Sequence, residues 1–115
     1  MSPNEMFDSA VSSGGDLAGV FEYDGETGYF YLYKPQHEEN RKVVGAIQVL
    51  SGPPDFGEKD IVIRWDATES KVGLFIRGRL WAAFDSVTGH KYGGGYRATG
   101  KPAIPVEVAD AFESR

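Results

Sequence analysis

The chain has no cysteine and only two histidines, His37 and His90. The first absence removes disulfides, thiolate nucleophiles, iron–sulfur clusters and cysteine-based zinc sites. With so few imidazoles, neither a structural metal nor a cofactor is expected. Long apolar runs are missing too, and no stretch approaches the ~18 residues that a membrane-spanning helix needs. The first 15 residues carry Glu5 and Asp8 where a secretion signal would have a basic start and an apolar centre. No membrane association is expected, and the cytoplasm is the simplest compartment. Catalytic signatures are also lacking: there is no Gly-x-Ser-x-Gly elbow and no Gly-Lys-Ser/Thr ending of a phosphate loop.

What is present fits one folded domain. The length of 115 residues leaves no room for a second large core, and 41% hydrophobic with 25% charged residues is ordinary for a globular chain. The 15 glycines suit many short strands better than a few long helices. Residues 1–15, ending in Ser12-Ser13-Gly14-Gly15, read as a flexible N-terminal arm, poorly ordered or docked; residues 16–115 read as a single β-rich domain.

Within that domain, strands are expected over Ala18 to Tyr23, Thr27 to Lys34, Lys42 to Leu50, Asp60 to Trp65, Val72 to Ile76 and Arg79 to Phe84. A last strand or a loop is expected over Lys91 to Tyr96, and a polar loop over Pro35 to Arg41. Val108 and Phe112, four residues apart behind Pro105, predict a short C-terminal helix. The fold class is therefore mainly β: six or seven short antiparallel strands, as a sandwich or partly open barrel, with one short helix. Arg77-Gly78 is a two-residue hairpin loop, in which Arg suits a type I′ turn less well than Asn and so favours another turn type. A two-residue register sets Leu74 opposite Trp81 and Phe75 opposite Leu80. It leaves Trp81 packed on the helix or on a partner, with Arg77 and Arg79 exposed at the tip.

Charge is unevenly spread. Residues 1–40 hold eight acids against Lys34 alone, whereas residues 71–101 hold six bases against Asp85 alone. The two poles either neutralise one another or steer a charged partner. The acidic total argues against nucleic acid as the partner.

Three groups of residues have chemical potential. Glu22, Asp24 and Glu26 place three carboxylates within five residues, the material for acid–base work or a hard cation, but Asp24-Gly25 also makes an ordinary solvated hairpin turn. Asp85 and His90, with Ser86 or Thr88 as nucleophile, resemble a hydrolytic set, yet sit in what reads as a plain turn. Gly93-Gly94-Gly95 with Arg97 suggests an anion cradle or simply a bulge. Tyr29, Tyr31 and Tyr33 alternate with Phe30 and Leu32, so the strand is apolar on both sides: either it is central and covered, or it offers tyrosines to a partner.

The run Phe21-Glu22-Tyr23-Asp24-Gly25-Glu26-Thr27-Gly28-Tyr29-Phe30-Tyr31, with Ile63-Arg64-Trp65 and the stretches Lys71 to Ile76 and Ala83 to Asp85, resembles a family of small bacterial proteins whose domain has no assigned function. The likeness covers roughly residues 18 to 100. It implies relatives that carry Asn-Gly in place of Arg77-Gly78 and a histidine-bearing tripeptide in place of Arg79-Leu80-Trp81, so any role of that histidine is lost here.

Two functional expectations follow. The first is a non-enzymatic cytoplasmic protein-binding module, of the immunity or antitoxin kind, meeting a protein partner or a second copy through Arg77, Arg79, Trp81, Tyr29, Tyr31 and Arg97. The alternative is a small-molecule or anion binding protein with hydrolytic activity around Asp85, His90, Gly94 and Arg97.

Overall fold

Strict alternation of side chains gives the strands their two faces, and successive strands joined by short turns pair with their chain neighbours. A computed structural model describes residues 5–34, 42–97 and 99–113. The loop expected over Pro35 to Arg41, His37 included, lies outside the described residues. Strands β1 (Met6–Val11), β2 (Ala18–Tyr23), β3 (Thr27–Lys34) and β4 (Lys42–Ser51) form one four-stranded antiparallel sheet in chain order. Strands β5 (Ile61–Trp65), β6 (Lys71–Ile76), β7 (Arg79–Asp85) and β8 (Lys91–Gly93) form a second, again in chain order. A short helix, α1 (Val106–Ala111), follows. No described helix is long and apolar enough to cross a membrane.

The two meanders pack face to face as a sandwich. Phe21, Phe30 and Leu32 from the first sheet meet Val72, Leu74, Ile76 and Phe84 from the second, all essentially without solvent exposure. Phe30 and Phe84 touch across the interior with ring centroids 5.4 Å apart. Burying each such side chain contributes roughly 2–3 kcal/mol. Both open sides of the sandwich are laced. On one, the Trp65 indole N–H donates to the Ala10 carbonyl at 3.0 Å. On the other, the Gly95 and Tyr96 N–H groups donate to Gln48 and Val49 of β4 at 3.2 and 2.6 Å.

Four details differ from expectation. Residues 6–11, read as part of an arm either poorly ordered or docked, are docked as a regular edge strand, β1, paired residue for residue with β2 from Met6↔Tyr23 to Val11↔Ala18. Carboxylates from the second half of the chain hold its margin: Glu58 accepts from the Phe7 N–H at 2.9 Å and Glu69 from the Ser13 N–H at 3.1 Å. The hairpin register holds at Phe75↔Leu80 but then shifts, so that Leu74 faces Ala82 and Trp81 is an extra residue of β7. Such a bulge re-aims its side chain; here Trp81 turns into the core between the sheets, 4% exposed, away from the helix. The Arg77-Gly78 turn has φ of +53° and +80°, the double positive φ of a type I′ turn. Arg77 meets the cost of that conformation, about 1–2 kcal/mol, through its N–H to the Asp60 carbonyl at 2.8 Å and its guanidinium on Asp55 and Asp60. Finally, β8 stops at Gly93, where the chain turns to stitch onto β4.

Candidate functional site

The group proposed for anion binding and hydrolysis is not assembled. One Asp85 carboxylate oxygen accepts the N–H groups of Val87 and Thr88 at 2.9 and 3.0 Å, and the other lies 3.9 Å from the Lys71 ammonium. Burial opposes ionisation of Asp85, but these bonds and Lys71 outweigh it and hold the group below the usual carboxylate range. His90 instead shares a hydrogen bond with the Thr88 hydroxyl at 3.0 Å and stacks near Tyr92. This is an Asx turn between β7 and β8, with its polar groups spent on the backbone. Ser86, the other candidate nucleophile, donates to the Ser70 carbonyl at 3.1 Å.

The glycine tract is likewise committed. The Gly94 N–H donates to the Trp81 carbonyl at 2.8 Å and that of Gly95 to Gln48, leaving no convergent set of donors for an anion. Gly93 and Gly94 have φ of +84° and +101°, and a side chain at either would meet backbone: 2.2 Å from the Trp81 oxygen and 2.8 Å from the Gln48 oxygen. Glycine is required there by close approach of chains. Arg97 is exposed beside a shallow depression that also holds Asp55 and Tyr96. Among the described residues no group of three or more His, Cys, Asp or Glu side chains is placed to hold a metal ion. In the acidic turn, Asp24 accepts the N–H groups of Glu26 and Thr27, both at 2.8 Å, which holds its carboxyl below the ordinary value.

The residues expected on an interaction surface fall in different places. Trp81 is core. Arg77 is a staple: it contacts Asp55 at 3.3 Å and Asp60 at 3.9 Å, and Asp55 also accepts from the Tyr96 hydroxyl at 2.7 Å. Arg79 is exposed at the mouth of a 560 Å³ hollow between the second sheet and α1. Tyr29 and Tyr31 are together, on the outer face of the first sheet, with rings stacked 5.8 Å apart at 15°.

A model of the family described as uncharacterized protein conserved in bacteria (DUF2251) matches residues 2–105. The chain belongs to this family. No curated protein and no solved structure matches it. Within this DUF2251 chain, what distinguishes the two sheets is their outer faces. On the second, Leu80 and Ala83 form a small core with Val108 and Phe112, and Phe75, Tyr92, Ile104 and Ala109 pack around it. On the first, the outer residues of β1 to β3 are Phe7, Ser9 and Val11, then Ala18, Val20 and Glu22, then Thr27, Tyr29, Tyr31 and Tyr33. Phe7 and Val11 are each 54% exposed and the tyrosines half-buried, and no described element lies over them.

This surface is a shallow groove of about 440 Å³ running over β1 to β3 to Val43 of β4. At one end it shares Phe7 and Glu22 with a second depression of about 450 Å³, where Glu5, Asp24 and Glu58 also line the wall. Glu22 lies directly opposite Tyr29 in the β2–β3 register, and Val20 opposite Tyr31. Burial first, then the charge of Glu22, raises the Tyr31 hydroxyl above its usual range. Alternation in β3 marked the tyrosines, but Phe7 and Val11 were missed because β1, with Asp8 and Ser9, carries too weak an apolar pattern to read as a strand.

Proposed function

We propose that this DUF2251 protein is a non-enzymatic, cytoplasmic protein-binding module, of the kind that immunity and antitoxin proteins represent, and that it meets its partner with the outer face of its first sheet. The observation that carries this reading is the asymmetry of the sandwich: α1 covers the middle of one outer face and leaves Val62 at its edge beside a hollow, while the other face leaves Phe7, Val11 and a stack of tyrosines in water. Contiguous exposed apolar surface of this type marks interaction sites, and tyrosine is favoured there because a large rigid ring loses little freedom on binding. Sequestration of Asp85, His90 and Gly94 in local turns and sheet stitching weighs against the hydrolytic reading.

Affinity isolation from the source cell with the full chain tests the proposal. A specific protein should be retained by the wild type and by His90→Ala, and lost with Tyr31→Lys, whose fold is checked by circular dichroism. Retention that is indifferent to Tyr31→Lys, or hydrolysis of an ester or phosphoester substrate that vanishes with His90→Ala, would overturn it.

A further inference from the structure

Resting on that reading, we infer that the outer face of the first sheet takes a basic segment of the partner: an extended stretch in which Arg or Lys alternates with apolar residues, one cation sitting over the Tyr29–Tyr31 stack with its charge toward Glu22. The groove supplies the chemistry for each half of such a segment. Its middle is apolar, through Phe7, Val20, Tyr31 and Tyr33, with Tyr29 stacked beside Tyr31, and its end is acidic, through Glu5, Glu22, Asp24 and Glu58. Among the described residues neither depression has a Lys or Arg in its wall. Residues 5–34, which supply β1 to β3, contain six acids and a single base, Lys34, so the field over this face attracts cations beyond the groove itself.

The geometry favours a cationic side chain over a bare ion. Tyr29 and Tyr31 stand two residues apart on one strand with rings nearly parallel, and Glu22 is the cross-strand neighbour of Tyr29. Directly opposed side chains in a sheet have Cβ atoms about 5 Å apart. A guanidinium or ammonium lying on the ring faces therefore reaches a carboxylate without leaving the aromatic surface, combining a cation–π contact with a charge-assisted bond. Asp24 and Glu58 are already hydrogen-bonded to backbone N–H groups at 2.8 to 2.9 Å, so they act on the partner as a fixed field, whereas Glu22 is exposed at the cation's position.

A second copy docked symmetrically is disfavoured by the same charges. A two-fold contact sets each patch on its own image, which brings Glu22 and its acidic neighbours against themselves. Edge-to-edge growth at β1 is also obstructed, because Glu58 and Asp8 already occupy the N–H groups of Phe7 and Ser9 at 2.9 Å.

The test uses the full chain and three labelled peptide pools of about 10 residues, the length that spans a strand of this sheet with a margin. All three alternate variable apolar residues with a fixed set: Arg and Lys in one, Glu in the second, Gln in the third. Binding is read by fluorescence anisotropy and mapped by amide chemical shifts. The basic pool should bind, with shifts centred on Phe7, Val20, Glu22, Tyr29 and Tyr31. Glu22→Gln, and separately Tyr29→Leu with Tyr31→Leu, should each weaken it about tenfold. Glu107→Gln on α1 should leave it unchanged. If the neutral or acidic pool binds this face equally well, the cationic partner is wrong while the docking face stands. Equal weakening by Glu107→Gln would reduce the effect to unspecific charge and overturn the inference. Absence of binding by every pool also overturns it. A dimer in sedimentation that Tyr31→Lys dissolves would replace the basic partner with a second copy.

Discussion

The two outer faces of this sandwich are built by the same alternation and end differently. On the second sheet, Phe75, Leu80 and Ala83 are met by Val108 and Phe112 of α1, and the Arg64 guanidinium lies 4.8 Å over the Phe75 ring while donating to the Phe112 carbonyl at the end of the helix. On the first, Phe7, Val11 and Tyr31 keep comparable apolar surface with nothing described above them. One six-residue helix, the only α-helix among the described residues, thus turns the middle of a sheet face into core and leaves Val62 at its edge 48% exposed. Fold stability should therefore depend on the covered face, and association on the open one.

The largest effect should come from uncovering the second sheet. Phe112→Ala removes a 3% exposed ring packed edge-on against Phe75 at 5.5 Å, and should cost about 3–5 kcal/mol in denaturant unfolding. Trp81→Ala belongs to the same class because the residue is interior. A cost below about 1 kcal/mol for Trp81→Ala would show that the bulge does not direct it into the core. Next is the fit of the cover itself. A methyl group at Gly73 would lie 2.5 Å from the Leu80 side chain and 2.9 Å from Phe112, so Gly73→Ala should destabilise by about 1–3 kcal/mol. Ser9→Ala on the open face should change stability by less than about 0.5 kcal/mol.

A third measurement isolates the lacing between the sheets from either face. Burial and the bond to Asp55 push the Tyr96 hydroxyl up to about 12, above the usual value of about 10 for tyrosine. Between those values the unfolded chain has lost this proton and the folded chain has kept it. The stabilisation is therefore complete below the unfolded value and declines as pH rises through the folded one. Tyr96→Phe should flatten that alkaline decline; an unchanged slope in pH-dependent unfolding would mean that other groups cause it. Tyr31→Ser gives up a half-buried stacked ring and should cost about 1 kcal/mol of stability while abolishing partner retention. A large loss of stability there would make the open face a structural one.

Much of the fold was legible because its strands carry strong signals. Ala18–Tyr23 and Thr27–Lys34 begin and end where their turn residues dictate, and α1 follows from Val108 and Phe112 spaced by one helical turn. Strand β1 was not legible: Asp8, Ser9 and Ala10 interrupt its pattern, and it is fixed by distant carboxylates at Glu58 and Glu69 that no local window contains. The surroundings of the bulge at Trp81 are similarly non-local: its carbonyl accepts the Gly94 N–H at 2.8 Å and its ring meets that of Tyr96, 4.8 Å away. Of the candidate surface, Tyr29 and Tyr31 could be marked by alternation alone. Whether a face is open depends on where the helix lands, which strand periodicity does not encode. The pairing of Arg77 with Asp55 and Asp60 was not legible, because both lie far from it along the chain, Asp60 at the start of an expected strand.

The stitch at Gly94 to Tyr96 has a kinetic meaning. Each sheet is a meander of chain neighbours, so either half can form from local contacts, which are fast to close. The Gly95 and Tyr96 N–H groups find their acceptors on β4 only once both halves exist and have docked. In hydrogen exchange these two amides should therefore report the separation of the halves, exchanging through an opening that leaves the central pairing of β2 with β3 and of β6 with β7 protected.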